Sequence, residues 1–209
     1  MTFQQMHDLV DTMLDKAQTA YFEPAEKDVF LNLAQNELVK AKYKLFEVNE
    51  KRREDLLPLV RQHNFVNNVL NLDAVTDFFL ILSVRGDFDI CGQQQTVALK
   101  PRKFDEIYRT SDDPFNKVDD EHPGYVQYFN SALGFNSLEV RPATAVISNG
   151  EMMYLKRPAV IDGENNPGNS PDLPEHMHEE IVNVAVRKIL LTIESQSYEG
   201  QVGEISVME

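Results

Sequence analysis

LEVRPATAVISNGEMMYLKRPAV, residues 138–160, decides how the chain divides. Ser148, Asn149 and Gly150 are residue types that tolerate a left-handed turn, and apolar positions alternate on either side. The spacing therefore predicts a hairpin in which 138–147 pairs with 152–160. Working upstream, 78–84 is apolar and β-rich, Gly86 and Gly92 punctuate, and 96–99 and 104–108 read as short strands or turns. Two polar stretches interrupt this pattern. Residues 111–125 are rich in Asp, Pro and Gly and read as a loop; 162–174, rich in Asn, Gly and Pro, read as a linker or as an arm crossing a neighbouring surface.

Outside this β region both ends are helical. Phe3, Met6, Val10, Met13, Leu14 and Ala17 stand at helical spacing behind Thr2, with Gln5 completing a capping box, so a helix is expected over about 3–19. Pro24 opens a second helix running to about Lys44; Glu26 and Asp28 favour the positive end of its dipole. Its predicted buried stripe is Val29, Phe30, Leu33, Ala34, Glu37, Leu38, Ala41 and Leu45. A third helical stretch is expected from about Asn49, with Leu56, Leu57, Leu59 and Val60 as its buried end and a break at Pro58. The last helix spans about 174–195 on the stripe Met177, Ile181, Val182, Ala185, Ile189, Leu190 and Ile193. Beyond it, Gly200 and Gly203 frame a tail bearing Val202, Ile205 and Val207, which reads as an extended strand added to a neighbour.

The expected fold class is therefore α+β, with N- and C-terminal helices packed as a helical bundle and an inserted antiparallel β region. Residues 1–70 form the N-terminal helical part, 71–161 the insertion, and 162–209 the linker, last helix and tail, the helical parts making one domain.

Composition bounds the function. The one cysteine, Cys91, fits a protein made in a reducing cytosol, and no export signal or membrane-length apolar run is legible. Net charge is −14: residues 1–70 hold nine Lys/Arg against eleven Asp/Glu, and 71–209 hold eleven against twenty-three. That balance argues against tight sequestration of nucleic acid.

The sequence has no GxSxG, phosphate-loop or GxGxxG motif. His176, His178, Glu179 and Glu180 come nearest to a metal cluster, but only His176 and Glu180 share the i, i+4 spacing of a helical ligand pair. Asp87 and Asp89 discourage a Cys91 thiolate. The acidic pairs at 112–113 and 119–121 lack the spacing of a calcium loop. No catalytic residue, metal or cofactor is expected. Lys40, Lys42, Lys44, Lys51, Arg52 and Arg53 form the one local excess of positive charge, suited to docking an acidic neighbour such as another copy of this chain.

FLNLAQNELVK at 30–40 and FEVNEKRREDLLPLV at 46–60 resemble the N-terminal signature of virion structural proteins from tailed phages of Bacteroidetes, including crAss-like phages. YLKRP at 154–158 and LPEHMHEEIV at 173–182, running into Ala185 and Val186, are similar to further parts of the same proteins. The resemblance implies a portal adaptor or neck ring in the head-to-tail connector, assembling as a twelve-fold ring. It also implies copies of itself, the portal protein and adjacent neck or tail proteins as partners, with non-specific passage of viral DNA, no membrane, and location in the virion. The interface residues expected for such assembly are Lys40, Lys51, Arg52, Arg53, Ile181, Ala185, Val202, Ile205 and Val207. The alternatives are another tail or head-completion protein, a one-to-one adaptor domain, or an enzyme using carboxylates of 112–121.

Overall fold

The computed structural model describes the chain apart from residues 17–21, 45, 47–53, 91–92, 110–112, 114–116, 120–121, 145–146 and 209. Two compact units are present, Met1–Leu59 together with Pro158–Glu209, and Val60–Arg157.

The second unit is a seven-stranded sheet of β1 (Val60–Phe65), β2 (Val69–Asn71), β3 (Phe78–Ile90), β4 (Gln93–Pro101), β5 (Gly124–Asn130), β6 (Phe135–Arg141) and β7 (Ile147–Lys156). Its spatial order is β1-β7-β3-β4-β5-β6-β2. Neighbours run antiparallel except β4 and β5, which meet in parallel at Lys100↔Gly124 and Pro101↔Tyr125 after a crossover carrying the short helix α3 (Phe104–Arg109). A parallel pair cannot be joined by a tight turn, which is why a long connection stands here.

The two edge strands, β1 and β2, are separated in sequence by three residues only. The sheet therefore curls toward closure, as a half-barrel. Asn68 holds the corner: its carbonyl accepts from Val140 N at 2.7 Å, its Oδ1 from Ile147 N at 3.2 Å, and its amide donates to Ala143 O at 3.3 Å.

Inside the curl every strand supplies core: Phe65, Leu70, Val84, Phe88, Leu99, Tyr125, Leu138 and Met152 belong to one buried cluster. Gly86 and Gly150 stand opposite each other in the β3–β7 register, and Gly150 also faces Phe65 of β1. A Cβ at Gly150 would lie 2.5 Å from the Phe65 ring, so glycine is required there for the ring to cover the sheet. Asp77 fixes the far end of β7. It accepts the Tyr154 hydroxyl at 2.8 Å and, through its carbonyl, Arg157 N at 2.6 Å. Burial, with the Asp77 carboxylate beside it, pushes the Tyr154 phenol up to about 12.

These findings overturn the expected α+β bundle with an antiparallel insertion. The architecture is dominated by a mixed, curled sheet, and the helices do not form a bundle of N- and C-terminal segments. The predicted hairpin is absent: residues 147–156 run straight through Ser148-Asn149-Gly150 as β7, and β6 pairs with β5 and β2 instead. Ser148 and Asn149 bond Asp87 of β3, and Gly150 makes room for a ring. Residues 60–65, expected in the helical part, are strand, and 104–109, expected as strand or turn, are helix.

In the first unit, α1 (Phe3–Lys16) begins with the Thr2/Gln5 capping box, and α2 (Pro24–Tyr43) with a Glu23/Glu26 box and Pro24 at its first position. A 3-10 turn at Leu57–Leu59 ends the helical chain at Pro58, as the proline requires. After a second 3-10 turn, Glu175–Met177, α4 runs His178–Met208.

Residues 158–174 are not an arm reaching a neighbour. Asn32 of α2 brackets Ile161, donating to its carbonyl at 2.8 Å and accepting its N–H at 2.9 Å; Gln35 donates to Ala159 O, and Asp28 accepts from Gly163 N and Glu164 N. Further on, Phe3 N and Gln4 N of α1 donate to Asn169 O and Pro167 O. Irregular chain thus joins α1 to α2, and Ile161 and Leu173 from it are buried with Met6, Leu31 and Ile181.

Gly150→Val should overpack the site beneath Phe65 and lower stability by about 1–3 kcal/mol. Thermal unfolding followed by circular dichroism reads this as a lower midpoint, and Phe65→Leu added to Gly150→Ala should recover part of the loss seen with Gly150→Ala alone.

Candidate functional site

The most concentrated polar chemistry among the described residues lies on the buried face of α2. That face is Lys27, Asp28, Leu31, Ala34, Gln35, Leu38, Val39 and Lys42. The predicted stripe was rotated from it: Val29 and Leu33 point outward, and charged residues point in. Each buried charge has a partner, as burial demands. Lys27 is held by both oxygens of Asp11 (2.9 and 2.8 Å), and Asp28 by His7 (2.7 Å) in addition to its two backbone donors.

At the other end, four pieces of chain meet around Lys42. Its ammonium donates to Asp55 Oδ2 at 2.7 Å and lies 2.9 Å from Glu180 Oε2; Asp55 Oδ1 lies 2.6 Å from His176 Nε2. Burial alone would raise the Asp55 carboxyl, but hydrogen bonds from Lys42 and His176 outweigh it and hold the group below the usual carboxylate range. His178 faces inward, where burial pushes its imidazole down and Nε2–H donates to Leu173 O at 2.9 Å.

This arrangement supplies its own cation. The Lys42 ammonium lies between Asp55 and Glu180, and among the described residues no group of three His, Cys, Asp or Glu could hold a metal ion. The i, i+4 pair His176 and Glu180 is spent on Asp55 and Lys42. Although an aspartate–histidine pair is the usual orienting half of a catalytic triad, both oxygens of Asp55 are engaged and its carboxylate faces an ammonium. The cluster ties chain segments together.

Of the residues expected at an interface, Lys40 is exposed on α2. Ile181 and Ala185 are fully buried within the first unit, which corrects their assignment: the α4 stripe is spent on intramolecular packing. Val202, Ile205 and Val207 lie within α4, which continues helical through Gly200 and Gly203, so the tail is not an extended strand. Lys51, Arg52 and Arg53 lie outside the described residues, as do Cys91, Asp112, Asp120 and Glu121.

The second unit has an open polar depression of about 300 Å³ lined by Arg85, Gly86, Asp87, Thr96, Asn149 and Glu151. Its charges are mutually engaged: Arg85 makes a bidentate 2.7 Å pair with Glu151, while Asp87 accepts from Thr96 and Asn149. The sequence offered little sign of either cluster. Its only hints were charged residues interrupting an otherwise apolar helical register, at Lys27 and Lys42.

These features define a two-unit protein in which the buried charges described above are paired within the chain. A scan against protein-family models and a search of curated proteins both find no match to this chain.

Asp55→Asn leaves Lys42 with Glu180 as its one carboxylate in the cluster and should cost about 3 kcal/mol, toward the low end for a broken buried pair. Because the folded carboxyl lies below its unfolded value, its contribution is present above about pH 4 and disappears as pH falls through the folded value. Urea unfolding should therefore show the widest gap between wild type and variant near neutrality, closing in acid.

Proposed function

We propose that this chain is a non-catalytic virion structural protein that forms a closed ring in the head-to-tail connector of a tailed phage, as a portal adaptor or neck ring. One observation carries the reading. Of the blocks that resemble phage virion proteins, 30–40, 54–59 of the second and 173–182 with Ala185 and Val186 lie in the first unit, and Asp55, His176 and Glu180 from two of them meet at Lys42. Their charged residues Asp55, His176 and Glu180 are used to hold the unit together, which suits an architectural role.

Burial agrees with this use: Leu31, Leu38, Leu56, Leu59, Met177 and Ile181, all from those blocks, are core. The fourth block, 154–158, ends the sheet where Tyr154 and Arg157 are tied to Asp77. In a ring, each copy meets two neighbours through different surfaces, and the contacts close by rotation. The portal protein and an adjacent neck or tail protein would lie above and below it. The acidic balance of the chain lets DNA pass without being held.

Mass measurement by light scattering, with negative-stain imaging of the purified protein, should give a single closed oligomer with twelve-fold symmetry. Mass spectrometry of purified virions should find the chain among the particle proteins. A monomer, or a one-to-one complex with another protein, that is absent from particles would overturn the proposal.

A further inference from the structure

β1 and β2 are the two edges of the sheet, and among the described residues no strand pairs with the outer side of either. Five antiparallel pairs and one parallel pair lie between them, so they run in opposite senses, as the arms of a hairpin do. Yet each bonds only inward, β1 to β7 and β2 to β6, which leaves an open seam. Val140 N donates to Asn68 O at 2.7 Å, continuing the β2–β6 register by one residue. In an antiparallel ladder, residues that bond their partner alternate with residues that do not, so the N–H and C=O of Val69 and Asn71 point away from β6, into the seam.

The tether sets the width of the seam. Phe65 stands opposite Gly150 of β7, and Asn68 bonds Val140 of β6. The three Cα steps between Phe65 and Asn68 reach about 11 Å at most. One strand held between two edges needs two strand spacings, about 9.6 Å, whereas two strands need about 14 Å. The tether end of the seam therefore admits one strand at most. Backbone chemistry says what that strand is: only extended chain presents N–H and C=O groups at the spacing of an edge. It must also be a lone segment, because the edge strand of a second folded copy already gives one of its sides to its own sheet.

Side chains along the seam narrow the occupant further. Phe65, His63 and Arg61 lie opposite Gly150, Met152 and Tyr154, on the core face of the sheet. Phe65 is buried, His63 half-buried and Arg61 exposed, so cover over the core face thins away from the tether. On the β2 side Leu70 belongs to the same buried cluster as Phe65. Residues 60–71 hold Arg61 and His63 and no carboxylate. Nor do they contain the devices that usually blunt an edge: there is no proline, and the β1–β7 register is unbroken by a bulge. Arg61 repels a basic strand and favours an acidic one.

We propose that an extended segment of another polypeptide, alternating apolar with acidic residues, inserts between β1 and β2 as an eighth strand and closes the sheet. Its backbone bonds both edges, antiparallel to one and parallel to the other. Its apolar side chains continue the core beside Phe65 and Leu70, and a carboxylate lies level with Arg61. The inference concerns the second unit alone and stands apart from the ring reading above.

A fluorescent eight-residue peptide alternating valine and glutamate should bind the full-length chain saturably, read by anisotropy. Amide exchange followed by NMR should slow about tenfold at Val69 and Asn71 when it binds. The same peptide with proline at two valine positions lacks two donors and should not bind. Arg61→Glu with His63→Glu should weaken the valine–glutamate peptide about tenfold and strengthen a valine–lysine peptide, with the circular dichroism spectrum unchanged. Val69→Pro, which removes a seam-facing donor and no bond to β6, should weaken both peptides alike. Absence of binding by the wild type, protection outside 60–71, or Val69 and Asn71 amides already slow without peptide would overturn the proposal. Slowing that grows with protein concentration alone would make a second copy the occupant and overturn it too. None of these outcomes bears on the connector reading, which particle composition and symmetry test separately.

Discussion

Three residues, Val66–Asn68, join the two edge strands of a seven-stranded sheet, and the second unit depends on that tether. From Phe65 to Val69 the chain makes four Cα steps, which reach about 15 Å at most. Seven strands laid flat would separate their edges by about 29 Å. A flat sheet is therefore excluded by chain length alone, and the curl follows. Curling brings the inner faces of all strands together, which is why one buried cluster draws on every strand. It also explains the glycines: where β1 turns over β7, the Phe65 ring needs the space a side chain at Gly150 would fill.

The first unit is governed by a different constraint, the cost of burying charge. Moving a lone ammonium or carboxylate from water costs several kcal/mol even after relaxation, so Lys27, Asp28, Lys42 and Asp55 can be inside only with partners in place. Those partners come from distant chain: Asp11 and His7 from α1, Glu180 and His176 from the region opening α4. Pairing of this kind selects the face α2 presents and the register at which α4 passes it. Val29 and Leu33 are exposed as a consequence.

α2 thus divides its chemistry by face. Its inner face is spent on intramolecular ion pairs, its outer face offers apolar surface, and its last turn carries basic side chains. α4, at 31 residues, is longer than α2 at 20.

Features set by neighbours in sequence were legible in the residues alone. Thr2 with Gln5 caps α1, Pro24 opens α2, Pro58 ends a helical stretch, and the apolar period of α4 places Ile181, Val182, Ala185 and Ile189 in the core. Capping, proline geometry and helical period all act within a few residues, so no distant partner is needed to read them. The candidate site was not legible, because Lys42 looks like any surface lysine until Asp55, Glu180 and the fold between them are known. Nor was the role of Ser148-Asn149-Gly150: turn chemistry is a local preference, and the tertiary demand for space under Phe65 and for donors to Asp87 overrode it. Sequence by itself determined where α1 and α2 begin, the break at Pro58 and which α4 residues are apolar within. Only the tertiary structure decided strand order, sheet curl and the inward face of α2, because each depends on contacts between residues far apart in the chain.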